Sequence, residues 1–205
     1  MARISKDVSR PLLLFAWISL IGTGYWSLFL YSNTAGSPAA AQTNWPGESV
    51  LKPQPGLATL VVFAHPHCPC SKATVGELAR LMPYVGNKAK IFVTFFKPKT
   101  RPLGWAQGSL WRDAAAIPGA EVTLDEDGTE AEKFGAKTSG QVFLYGADGK
   151  LVFQGGITPE RGHMGDSDGR LAIISFLETG HVEKSSTPVF GCSIRNPERA
   201  AQEEI

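Results

Sequence analysis

Cysteine is scarce in this chain, with three in 205 residues. An odd count allows at most one intramolecular disulfide and leaves a thiol over. An excess of one charge is lacking too: 20 Lys and Arg stand against 19 Asp and Glu, a formal net charge of +1. With no basic stripe interleaved with aromatics, this argues against a nucleic-acid partner. Zinc-ribbon spacings and internal repeats are absent. Asp125-Glu126-Asp127 is followed too soon by Gly128 for an EF-hand loop and reads as a solvated turn.

Charge is missing altogether from residues 12–31, LLLFAWISLIGTGYWSLFLY. At about 1.5 Å per residue this run is long enough to cross a hydrocarbon core. Arg3, Lys6 and Arg10 precede it and the next basic residue is Lys52. The positive-inside rule then predicts a cytoplasmic N-terminus (1–11), a transmembrane anchor (12–31) and everything else outside the cytoplasm, in a single pass of the inner membrane. Tyr25, Trp26 and Tyr31 suit the outer interface. The alternative is a cleaved signal peptide, with Ala39-Ala40-Ala41 before Gln42 as the small-residue site. Either way the domain faces a compartment where disulfides persist.

Residues 32–56, rich in Ser, Ala, Pro, Gly and Asn, read as a flexible linker. ATLVVFA (58–64) predicts a strand buried on both faces, and 69–82 has helical spacing with Pro69 suited to the first turn. AKIFVTFF (89–96) predicts a second strand, followed by a loop with Pro98, Pro102 and Gly104. A helix at 108–117, a strand at 121–125 and a short helix at 128–136 come next. QVFLY-GADG-KLVFQGG predicts a hairpin, and 169–180 a last helix with Asp166 or Asp168 as its cap. This order implies an α/β domain over 57–182, with a mixed central sheet between helical layers, and a polar tail (183–205) that contains Cys192.

The chemistry concentrates in His65-Pro66-His67-Cys68-Pro69-Cys70, where the first strand gives way to a helix. Backbone N–H groups and the helix dipole favour a thiolate at Cys68. Cys70 lies two residues on, about 200° round an ideal helix, which predicts diverging side chains and a strained, reducible disulfide if one forms. Cys192 sits in PVFGCSI, an apolar island that can dock back and bring a resolving thiol. His65 and His67 have two functional readings: as imidazolium groups they lower a thiol pKa, and as ligands with Cys68 and Cys70 they suit Cu(I) or Zn(II). Arg161 and His163, in the loop after the hairpin, are auxiliary candidates at the same face. Trp105 and Trp111 read as cover for the core edge.

VVFAHPHCPCSK is similar to the strand–active-site–helix segment of the thioredoxin superfamily, and DGTEAEKFGAKTSGQVFLYGADGKLVFQGG resembles its third helix and final hairpin. The likeness covers roughly residues 57–180 and, with the anchor, looks most like the extracytoplasmic thioredoxin-like proteins of bacteria. HPHCPCS, GGIT…RGH and TPVFGC resemble a branch labelled RedB. The resemblance implies a three-layer thioredoxin-like fold and thiol–disulfide exchange. It puts Cys68 at the nucleophile position and Ser71 where the second cysteine usually stands. Gly140 stands where the family has a cis-proline, so no cis peptide is expected.

The first functional expectation is a membrane-anchored thiol–disulfide oxidoreductase that needs no cofactor. Cys68 is its nucleophile, Cys70 or Cys192 its resolving thiol, and cysteine-containing extracytoplasmic proteins its partners. The alternative is a copper-binding or metallochaperone module on the same fold, using His65, His67, Cys68 and Cys70. A peroxiredoxin-like peroxidase is the third reading; that family needs Thr or Ser three positions before its cysteine, where His65 stands here.

Overall fold

The computed structural model describes residues 9–195. Most of the expected cytoplasmic segment and the last ten residues of the tail lie outside the described residues. Helix α1 (Ser9–Asn33) contains a stretch, Arg10–Asn33, long and apolar enough to cross a membrane.

Five strands form one sheet in the order β3-β2-β1-β4-β5: β1 (Ala58–Ala64), β2 (Ala89–Lys97), β3 (Ala120–Glu126), β4 (Gln141–Tyr145) and β5 (Leu151–Gly155). The first three run parallel, while β4 is antiparallel to β1 and β5 to β4. Every residue of central β1 is buried, as its unbroken apolar run requires. Alternation then divides its side chains between two cores. Leu60, Val62 and Ala64 join aliphatic residues from α2 (Pro69–Val85), α4 (Ser109–Ala115) and α6 (Asp168–Thr179). Val61 and Phe63 join an aromatic core with Phe134 of α5 (Thr129–Phe134), Phe143 and Tyr145. The mixed sheet with helical cover on both faces is the predicted architecture.

Three local expectations are corrected. The stretch 32–56, read as a flexible linker, is a strap packed on the domain. Gly36 N–H donates to Val189 O (2.8 Å), Trp45 N–H to Gly149 O (2.8 Å), and the Trp45 ring stands edge-on to Phe134 and Tyr145. Leu51 is buried, and Ser49 donates to the Glu130 carboxylate at 2.6 Å. Small and proline residues suit the strap because it runs close to other backbone.

Second, neither aspartate caps α6. Ser167 does, its hydroxyl accepting from Arg170 N, while Asp166 pairs with Arg170 and Asp168 with Lys184. Third, Asp125 is no solvated turn residue. It is buried and accepts from Glu130 N (2.8 Å) and Ala131 N (2.9 Å), satisfying the first turn of α5. Burial pushes its carboxyl up, against those two hydrogen bonds. The proline loop after β2 also carries a short helix, α3 (Leu103–Ala106).

Candidate active site

Cys68 is the N-cap of α2, in extended conformation (φ −101°, ψ 123°), and Pro69 opens the helix. The first turn of α2 therefore begins at the cysteine, and the positive end of the helix lies beside its sulfur. Cys68 and Cys70 are each only 5% exposed, and all three cysteines are thiols.

Four donors converge on the Cys68 sulfur: the Cys70 thiol, the Ser71 N–H, the Ser139 hydroxyl and the Cys192 N–H. The Cys70 hydrogen bond is the strongest influence. Against the cost of burial, these donors lower the Cys68 thiol from 9.0 to about 4. Cys70 moves the other way, because its proton is engaged by Cys68, burial disfavours its charge, and the negative Cys68 lies beside it. A Gly162 N–H at its sulfur offsets part of this. The expected divergence of the two side chains does not arise. Cys68 precedes the helical φ/ψ, so the 200° turn of a regular helix does not separate it from Cys70.

The donors to the two sulfurs come from four segments: the start of α2, Ser139, the loop at Gly162 and the tail at Cys192. Ser139 holds two of them together: its hydroxyl lies 2.5 Å from that of Ser71, and its N–H donates to Cys192 O at 2.8 Å. His65 N–H reaches both hydroxyls, at 2.9 Å to Ser71 and 3.2 Å to Ser139. Thus Ser71, at the place of a second cysteine, braces the nucleophile's surroundings. Gly140 has φ +88°, and a Cβ there would meet the Thr74 hydroxyl at 2.6 Å. A side chain would push β4 off the start of α2. Gly191 serves the tail in the same way, since a Cβ would come 2.0 Å from Ser139 O. Among the described residues there is no cis peptide, as expected from glycine in place of proline.

The docked tail brings the Cys192 N–H to Cys68 and its thiol near enough to Cys70 for their charges to interact. Arg161 does not reach a sulfur. Its guanidinium bridges Thr34 O (2.9 Å) and Gly191 O (2.7 Å), clamping strap and tail. His163 turns back on its own loop, with Nδ1 2.8 Å from Arg161 O and 3.5 Å from the Glu160 carboxylate. The part of this loop that meets the site is backbone, at Gly162. Buried Glu77 of α2 holds the loop by accepting from Gly165 N at 2.8 Å, and Gly76 leaves room for Met164.

The two histidines pack on aromatic rings. His65 stacks on Phe96 (ring centroids 5.7 Å) and His67 lies edge-on to Trp105 (4.7 Å). The main groups lowering Cys68 are thiol, hydroxyl and amide donors, with no imidazole among them. Among the described residues no three His, Cys, Asp or Glu side chains gather as metal ligands would. Trp105 belongs to this aromatic wall beside the site, whereas Trp111 packs on Phe95 at the core edge as predicted. Sequence reasoning missed Ser139 and Gly162. Ser139 carried one usable signal, its place just before the glycine that faces the active-site helix.

A parallel strand–helix–strand unit, a closing hairpin with a last helix, and a cysteine capping the first domain helix now stand together. The fold is thioredoxin-like. A hypothetical protein from Sinorhizobium meliloti 1021 superimposes with a TM-score of 0.54 at 24% identity, over 80% of this chain and 94% of its own. An uncharacterized conserved protein from Geobacillus kaustophilus gives 0.57 at 22% identity, over the same shares. A secreted disulfide oxidoreductase from Mycobacterium tuberculosis gives 0.43 at 14% identity, over 60% of this chain and 82% of its own. No family model and no curated protein matches the chain.

Proposed function

We propose that this protein is a thiol–disulfide oxidoreductase, anchored by α1 and working outside the cytoplasm on cysteine-containing proteins. One observation carries the reading: two free thiols at the start of α2, with Cys68 at the N-cap, where its sulfur is held well below the usual thiol range and Cys70 stays protonated. The thiolate is the attacking species in disulfide exchange, and a protonated neighbour is a nucleophile in reserve.

In the reducing direction, Cys68 attacks one sulfur of the partner's disulfide and the other leaves as a thiolate, which takes a proton. Once Cys68 is in the mixed disulfide its negative charge is gone, so Cys70 deprotonates more readily. Cys70 then attacks the Cys68 sulfur, releasing the second partner thiol and leaving a Cys68–Cys70 disulfide. Two electrons pass to the partner, and a dithiol protein restores the pair. The reverse sequence oxidises. The docked tail supports Cys192 as a second resolving thiol.

Insulin reduction tests the reading. Wild type is active, Cys68→Ser is not, and Cys192→Ser keeps part of the rate. Equal rates in wild type and Cys68→Ser would remove it.

A further inference from the structure

The site lies against the end of the apolar helix. Arg161 N–H donates to Ser32 O at 3.1 Å, its Nε donates to Thr34 O, and its guanidinium lies 5.1 Å from the centroid of the Tyr31 ring. The next residue, Gly162, packs on the start of α2 between the two cysteines: a Cβ built on it would lie 3.8 Å from the Pro69 side chain, and its N–H faces the Cys70 sulfur. One residue step and one contact to sulfur put that sulfur at most about 10 Å from the Ser32 carbonyl. The domain does not hang on a tether there. Arg161 also binds Gly191 O, and Gly36 N–H binds Val189 O.

Arg10–Asn33 has 24 residues, and an α-helix of that length spans about 36 Å against a hydrocarbon core of about 30 Å. The Tyr31–Asn33 turn therefore reaches the headgroup layer, itself about 5–8 Å deep. The dithiol sits in that layer or just above it. Apolar side chains lie exposed nearby: Met164 (43%) in the same loop, and Leu103 (58%) in the short helix that carries Trp105.

Resting on the reading of α1 as a membrane anchor and of Cys68/Cys70 as the redox pair, we propose that these thiols act at the bilayer surface. The substrate is a disulfide that a membrane-anchored partner protein holds close to its own membrane segment. The exchange is the one given above: the partner's disulfide becomes two thiols, the Cys68/Cys70 dithiol becomes a disulfide, and a dithiol protein reduces it again. A partner anchored in the same bilayer brings its disulfide to this height at high effective concentration. A disulfide far from the surface meets the body of the domain instead.

The full chain is placed in lipid nanodiscs with a transmembrane peptide carrying a cystine loop. The loop sits either directly above the span or on a rigid helical spacer about 30 Å higher, about 20 residues at 1.5 Å each. The near loop is reduced about tenfold faster. Inserting Gly-Ser-Gly-Ser between Tyr31 and Ser32, on the membrane side of both Arg161 hydrogen bonds, removes that preference and keeps the rate on a soluble disulfide peptide in detergent. Equal rates for near and far loops in wild type overturn the proposal.

A second readout needs no redox activity. A fluorophore on Met164→Cys, in a chain with its three native cysteines changed to Ser, is quenched by headgroup-nitroxide lipid. The insertion variant is quenched much less. An unquenched fluorophore in a chain that resists carbonate extraction also overturns it. Extraction by carbonate sinks the anchor reading instead, and inactivity on every disulfide sinks the redox reading.

Discussion

Cys68 and Cys70 are neighbours of His65 and His67 in sequence, and the fold sends the two pairs to different chemistries. The cysteines turn inward onto amide, hydroxyl and thiol donors from four segments. The imidazoles turn onto an aromatic wall of Phe96 and Trp105. Sequence proximity suggested that the histidines tune the thiols or share a metal with them. In the fold an extended N-cap sets Cys68 at the first turn of α2, while the His65 ring packs on Phe96 and the His67 ring on Trp105. The Cys70 thiol, the Ser139 hydroxyl and two backbone N–H groups hold the thiolate here, the Cys70 thiol foremost.

The largest expected effect is from Cys68→Ser, which reduces disulfide exchange to background in an insulin assay. The same substitution flattens the pH dependence of stability. Between about pH 5 and 8 the native Cys68 is a thiolate, while its unfolded thiol, near 9.0, still holds a proton. The unfolded state binds more protons, so this group's contribution rises with pH, by up to about 1.4 kcal/mol per unit. It is fully present above 9.0 and lost as pH falls through about 4. Urea titrations from pH 5 to 8 should show that rise in wild type and much less of it in Cys68→Ser.

Next is Cys70→Ala, which removes the strongest donor to Cys68 and the first resolving thiol. The Cys68 midpoint rises by about 1–3 units, and mixed disulfides with the partner accumulate on non-reducing gels. An unchanged midpoint would break the inward half of the comparison. Ser139→Ala removes one hydroxyl donor and raises the midpoint by about one unit, read from the pH dependence of alkylation.

The smallest effect belongs to His67→Ala, which leaves the Cys68 midpoint in place and changes the exchange rate by less than about twofold. A midpoint that follows the imidazole would show that the two pairs are coupled after all.

Local patterns made much of this legible. The β1 run, the Pro69 start of α2, the hairpin and the Gly180 stop all sit where periodicity and turn chemistry put them. The nucleophile's place at a helix start was legible for the same reason. What long-range packing decides was not. The strap through Trp45 and Leu51 looked like a linker because its composition is that of one, and only the aromatic core beneath it explains its order. Ser139 and Gly162 act on the sulfurs across 71 and 92 positions of sequence, one through a hydroxyl and one through a backbone N–H. No local pattern marks either.

The most direct measurement is the titration of Cys68 itself, by thiolate absorbance in a Cys192→Ser chain with Cys70 left in place. A midpoint far below that of an ordinary thiol, near 4, is expected, with Cys70 still protonated at neutral pH. A Cys68 midpoint close to 9.0 would mean that the converging donors do not hold a thiolate, and the proposed chemistry would lose its nucleophile.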